Sequence, residues 1–241
     1  MDVSDLHEIT GNTKHAARKA AFIDLITEHA GEHLAPHRMA QLLAQVCEES
    51  SRFRHVREIW GPTRAQRRYE GRKDLGNVIK GDGKRYMGRD LMQITGRDNY
   101  RALTAWVNDR FPGEFPDFEK APAKLEASLG IGVLWYWTTR VPMKYIDAGD
   151  IEMITRSVNG RLNGYARRLE YYDRAALVFL GFAPSDIKGF QIEYGLKADG
   201  ISGPKTRAKM HLQLKELHAH KESGMVSAIL AIITALFGDK K

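Results

Sequence analysis

A helix is fixed by apolar residues at three- and four-residue steps, Met39, Leu42 and Val46, and it ends on two adjacent acids, Glu48 and Glu49. One more step from Val46 lands on Glu49, while Gln41, Gln45, Glu48 and Arg52 fall on a neighbouring polar stripe. Pro36 is placed to open this helix, because its missing N–H has no helical partner at a first position. A third acid, Glu58, follows nine residues after Glu49, past the point where the helix should stop. A loop must therefore carry it back if it is to face the same cleft.

The two adjacent acids are expected in different surroundings. Glu48 can pair with Arg52 one turn on and stay charged, whereas on an apolar stripe desolvation favours a protonated carboxyl, which suits Glu49 to donate a proton. Arg54 and Arg57 are expected to help keep Glu58 ionised. One protonated and one charged carboxyl are what cleavage of a glycosidic bond needs, an acid for the leaving oxygen and a base for the attacking water. The competing reading of this stretch alone is a pair of solvated acids at a helix end.

The chain has 241 residues and a net charge of +7, enough for one domain of ordinary size with an ample core plus a small module. The charge favours an anionic partner, whether nucleic acid, an acidic membrane face or a negatively charged wall polymer. No recognition helix is evident, so nucleic acid is not expected, and no motif implies a metal or an organic cofactor. The single cysteine excludes an internal disulfide. The start, Met1-Asp2-Val3-Ser4-Asp5, has neither a basic end nor an apolar run, so the expectation is synthesis in a cytoplasm without a secretory signal. Residues 13–30 read as a helix with Ala16, Ala20, Ile23, Ile26 and Ala30 on one side, ended by Gly31; residues 61–85 read as a long surface loop.

The second informative stretch runs Gly81-Asp82-Gly83, then Tyr86, Gly88-Arg89-Asp90, Gln93, Thr95-Gly96 and Asn99-Tyr100. It resembles the glycoside hydrolase family 19 pattern of Gly-Asp-Gly, Tyr, Gly-Arg-Gly, Gln, Thr or Ser, Gly and Asn-Tyr, and in particular the phage and bacterial endolysin branch. Glu48-Glu49-Ser50-Ser51-Arg52-Phe53 is similar to that family's His-Glu-Ser-Gly-Gly-Phe. The resemblance implies a lysozyme-like helical fold and an inverting mechanism. Glu49 would be the general acid and Glu58 the base for water, helped by the Thr95 hydroxyl, with Gln93 and Asn99 on the sugar chain. The glycines of residues 81–88 would let backbone approach a bulky polysaccharide. The plain reading is a turn before a helix N-terminus, with Thr95 as its cap and Tyr100, Leu103 and Trp106 as its core face. Four positions depart from the pattern: Glu48 stands for histidine, Ser51 and Arg52 for two glycines, and Asp90 for a third glycine.

Further on, residues 122–140 read as a buried helix whose Trp135, Tyr136 and Trp137 are core residues, with sugar stacking as the alternative. A short helix at residues 151–158 leads into Val158-Asn159-Gly160 and Asn163-Gly164, which resembles the family's Asn-Gly loop and suggests Asn159 as a substrate contact, against a plain turn role. Arg168 resembles the family's arginine near the general acid; Arg167 is the alternative match, and a surface charge the alternative role. After residue 182 the pattern changes. Gly195-Leu196-Lys197-Ala198-Asp199-Gly200 and Gly203-Pro204 resemble one unit of a peptidoglycan-binding module, too short to fold alone and so expected to pack on the main domain, as a binding unit or a structural cap. The tail, residues 225–237, runs from Met225 to Phe237 and is apolar nearly all round. As a helix it would span about 20 Å against a hydrocarbon core of about 30 Å, so membrane contact or docking on the protein is expected rather than a span.

The expected architecture is mainly α: a lysozyme-like catalytic domain over residues 1–182, a small helical module over 183–222, and an apolar tail helix over 223–241. The expected activity is that of a monomeric endolysin hydrolysing β-1,4 bonds of peptidoglycan, its polysaccharide partner. A chitinase acting on chitin and a non-catalytic wall-binding protein are the alternatives.

Overall fold

The computed structural model describes the backbone of residues 1–237, and side chains as far as His220 together with Ser223. The described residues are mainly helical, as the sequence periods predict. It begins with α1 (Val3–Thr10), started by a reciprocal cap in which Asp2 and Asp5 satisfy each other's backbone N–H groups, and α2 (Ala16–His29). A 3-10 turn, Gly31–Leu34, then delivers the chain to α3 (Pro36–Glu49), with Pro36 in its first turn.

Helix α3 is the axis of the molecule. Every residue from Met39 to Cys47 is buried, the stripe residues Gln41 and Gln45 included. The reason is the number of neighbours: α8 (Met143–Ala148), α9 (Ile151–Asn159), α10 (Tyr165–Phe179) and α12 (Pro204–Phe237) all pack on it. Cys47 lies wholly inside, where burial pushes its thiol up to about 12.

The 61–85 stretch is mostly loop, interrupted by α4 (Arg64–Arg67), a 3-10 turn at Lys73–Leu75 and α5 (Asp82–Arg85). Helix α6 (Arg97–Arg110) buries Tyr100, Leu103 and Trp106. It begins at Gly96 without a side-chain cap, because the Thr95 hydroxyl turns back to donate to the Gln93 carbonyl at 2.8 Å; Thr95 is not the cap expected for it. The buried helix expected over 122–140 is shorter, α7 (Ile131–Arg140), preceded by a 3-10 stretch at Pro122–Ala127. Trp135 and Trp137 are core residues and Tyr136 is half-buried.

Helix α11 (Ile187–Glu193) and the turn at Gly200, with φ of +73°, precede α12. Arg207 of α12 makes a two-pronged pair with the buried Asp173 of α10 at 2.8 and 2.9 Å, and His211 contacts the Asp147 carbonyl at 2.9 Å. No helix among the described residues is long and apolar enough to cross a membrane, and the side chains of the tail, residues 225–237, lie outside those described.

Candidate active site

Glu49 is the last residue of α3 and sits where α10 crosses it. Its Oε1 accepts from Arg168 Nη2 at 2.5 Å; the arginine side chain is 2% exposed and the glutamate 27%. The apolar stripe therefore does not reach Glu49, which faces a buried cation instead. Glu48 does not pair with Arg52, because the helix ends before Arg52 is reached. Arg167 takes that place from α10, donating Nε to Oε2 at 2.7 Å and Nη2 to Oε1. Gly164 makes this approach feasible: its φ is +69°, and a Cβ there would lie 2.2 Å from Glu48 Oε1.

The chain then reverses through Ser51, Arg52 and Phe53, all left-handed with φ of 49°, 62° and 67°. Two of these are the positions where the resembled pattern has glycine. Tertiary bonds hold the turn in place of glycine's freedom. Arg52 N–H returns to the Cys47 carbonyl at 2.8 Å, Ser50 Oγ accepts from Phe53 N–H at 2.8 Å, and Arg18 donates to the Phe53 and Arg54 carbonyls at 3.1 and 2.7 Å. Phe53 is wholly buried edge-on to Phe22, with centroids 5.4 Å apart, a geometry worth about 0.5–1.5 kcal/mol beyond its burial.

This reversal delivers Glu58 to the strand-like pairing of Arg57 with Arg89, and of Arg89 with Ile94. Glu58 N–H donates to the Gly88 carbonyl at 2.8 Å, and Gly88 N–H donates back to Glu58 Oε2 at 3.1 Å. Gln66 donates to Oε1 at 3.0 Å, and the Tyr69 phenol lies near enough to the same carboxylate to feel its charge. Arg54 and Arg57 are not its partners, contrary to the sequence reading; Arg57 points to Glu126 at 3.5 Å, and two neutral donors, Gly88 N–H and the Gln66 amide, hold the Glu58 carboxylate. Tyr69 responds in turn, its phenol pushed up by burial and then by the Glu58 charge.

Beyond Gly88 comes a tight reversal built on Asp90, φ +64°, and Gln93, φ +52°. The wholly buried Asp90 carboxylate accepts from Leu91 N–H at 2.7 Å, Gly130 N–H at 3.0 Å and Val133 N–H at 3.1 Å. It thus caps the N-terminus of α7, where a negative charge is favoured. Burial outweighs these bonds and pushes its carboxyl up to about 6. The departure from glycine at this position so ties the reversal to α7.

The reversal carries Gln93 and Thr95 into one cleft of about 300 Å³, lined also by Asn99, Trp135, Tyr136 and Arg140. Gln93 donates to the Asp90 carbonyl at 3.0 Å, and Asn99 donates to the Thr95 carbonyl at 2.7 Å while accepting from Arg140 at 3.3 Å. Gly88 leaves room for these side chains: a Cβ would lie 2.6 Å from Gln93 Oε1 and 3.2 Å from Thr95 Oγ1, so Gln93 would have to shift. Tyr136, on the cleft wall, donates its hydroxyl to the Val158 carbonyl at 2.9 Å. Burial raises its phenol, Arg140 pulls it down, and the Glu49 charge raises it again.

Asn159 lies apart from this cleft. Its amide is spent on its own loop, donating to the Asn163 carbonyl at 3.1 Å and accepting from Arg161 N–H at 2.9 Å. The Asn163 carbonyl also accepts from Arg168 Nε at 3.3 Å, so Asn159 meets the site through that loop. Sequence reasoning passed over Gln66 and Tyr69, and placed Gln45 on a polar stripe without a role at the site. Gln66 carried a legible signal, since Thr63-x-x-Gln66 is a capping box and the structure forms it.

No family model matches the chain. A glycosyl hydrolase family 19 domain-containing protein of Haemophilus influenzae is 37% identical over 114 residues, which is 47% of this chain and 52% of that protein. The chain spans about half the length of that curated relative. Among solved structures, chitinase C from Streptomyces griseus HUT6037 superposes with a TM-score of 0.56 at 15% identity, covering 76% of this chain and 77% of that one. A bacterial family 19 chitinase gives 0.53 at 18% identity, covering 76% and 96%. The chain has the fold of the family 19 chitinases.

Proposed function

We propose that this chain is a glycoside hydrolase that cuts β-1,4 bonds of peptidoglycan by inversion, as an endolysin does. The observation that carries the reading is the pair of carboxylates in unlike settings at the ends of one chain reversal: Glu49 on a single buried guanidinium, Glu58 among neutral donors beside Gly88. In this mechanism Glu49 protonates the glycosidic oxygen. Glu58 takes a proton from the attacking water, which the Thr95 hydroxyl helps to hold. Gln93 and Asn99 contact the sugar chain, and Asn159 acts through the loop that carries Asn163. Support comes from the sequence relative, the family 19 fold and a net charge of +7, which suits a wall carrying carboxylates and phosphates.

Residues 183–222 would add affinity for the wall, the tail from Met225 to Phe237 would contact a membrane, and a monomer made in a host cytoplasm would act on the wall. Chitin is the second reading, favoured by the solved neighbours, which are chitinases. Mass spectrometry of fragments released from purified peptidoglycan and from chitin oligosaccharides separates the two. Muropeptides from the first and no cleavage of the second are expected; cleavage of chitin alone reverses the assignment, and release from neither supports a non-catalytic wall-binding protein.

A further inference from the structure

The two arginine–glutamate pairs at the α3–α10 crossing are built differently. Arg167 grips Glu48 with both prongs of its fork, a geometry that locks itself. Arg168 touches Glu49 with one nitrogen only, Nη2 on Oε1, and Glu49 Oε2 has no hydrogen bond among the described residues. A single contact does not fix the guanidinium plane. The other two acceptors do: the Asn163 carbonyl takes Nε, and Gln45 Oε1 takes Nη1 at 2.6 Å. Gln45 is wholly buried on α3, one turn before Glu49, so one face of the helix offers a neutral acceptor and a carboxylate to one guanidinium. The amide of Gln45 is itself oriented, its Nε2 facing the buried Thr155 hydroxyl at 3.5 Å.

We propose that Gln45 is a positioning residue that holds Arg168 to a single contact with Glu49 and so keeps Glu49 Oε2 free to carry the proton delivered to substrate. The inference rests on the glycosidase reading above. Without the Gln45 oxygen, Nη1 is a buried donor with no acceptor and the nearest charged one is the same carboxylate. The guanidinium then closes on both oxygens of Glu49, as Arg167 does on Glu48, which holds Glu49 in its charged form and blocks the donor oxygen. Neutrality at this position matters as much as the acceptor. A carboxylate in its place would share the guanidinium charge and leave Glu49 holding its proton to higher pH.

The test compares the full chain with Gln45→Leu and Gln45→Glu in two measurements, with folded fraction matched by thermal unfolding. In the first, kcat and KM on soluble glycan oligosaccharides are followed against pH. Gln45→Leu should lower kcat about tenfold or more with KM little changed, and move the basic limb of the profile to lower pH. Gln45→Glu should recover most of kcat and move that limb to higher pH. In the second, carbon-13 NMR follows the Glu49 carboxyl through its titration. The expected order of midpoints is Gln45→Leu, then parent, then Gln45→Glu. Shifts in the same direction for both variants, or none, overturn the inference. A parent that cleaves no glycan refutes the functional reading instead, and the order of NMR midpoints then still decides the role of Gln45.

Discussion

Replacing Asp90 by asparagine probes the link between the cleft reversal and α7. Asparagine keeps one acceptor oxygen and removes the charge, and it points an NH2 group at backbone N–H groups that the second oxygen now accepts, Val133 N–H among them. Leaving one buried donor unpaired costs about 1–3 kcal/mol at any pH. The pH dependence is the sharper observable. Burial raises the folded carboxyl from its ordinary 3.8 to about 6, so between these values the folded state binds more protons than the unfolded one. The stability contributed by Asp90 is therefore full below 3.8 and is lost as pH rises through about 6. From pH 4.5 to pH 7 that loss is about 2 kcal/mol, and Asp90→Asn does not share it. Urea unfolding of both proteins across this range should show the parent's advantage shrinking by that amount as pH rises. A stability difference that is flat with pH, or that grows toward pH 7, would refute the reasoning that burial dominates at Asp90.

Arg52→Gly should stabilise the protein by up to about 1 kcal/mol, because a left-handed arginine costs about 1–2 kcal/mol and glycine's extra entropy returns only part of it; a melting temperature below the parent's would mean the side chain contributes something the backbone argument omits. Gly164→Ala should cost at least about 1–2 kcal/mol from its left-handed backbone alone, and more because the new methyl meets Glu48, so an unchanged melting temperature would show that the α9–α10 loop shifts freely. Glu49→Gln should lower turnover by about 10² to 10⁴, whereas Glu48→Gln, which loosens a partly exposed pair with Arg167, should cost far less in the clearing of permeabilised cells. The opposite ranking would place the proton donor on Glu48.

The helix that carries Glu49 was legible because Pro36 and the Met39, Leu42, Val46 step are local signals. The route to Glu58 was not. It runs through three left-handed residues, none of them glycine, pinned by Ser50 and by Arg18 from another helix, and no local pattern announces those bonds. Pairing rules failed for the same reason. The expected Glu48–Arg52 pair assumes a helix that continues one more turn, and the expected guards of Glu58 assume that arginines near in sequence are near in space. Gln41 and Gln45 read only as part of a polar stripe, and their burial was not legible because a sequence cannot show that four helices pack on α3. Asp90 read as a mere departure from glycine, since its partners, Gly130 and Val133, lie forty residues on.

The central claim is that Glu49 and Glu58 act as an acid and a base across a water, and the anomer first released from a β-linked glycan tests it most directly. Proton NMR of the reducing ends in the first minutes of cleavage should show the α-anomer leading, with the β-anomer growing in by mutarotation, and no release from Glu49→Gln at matched concentration. A β-anomer appearing first, or release that survives Glu49→Gln, would contradict the mechanism.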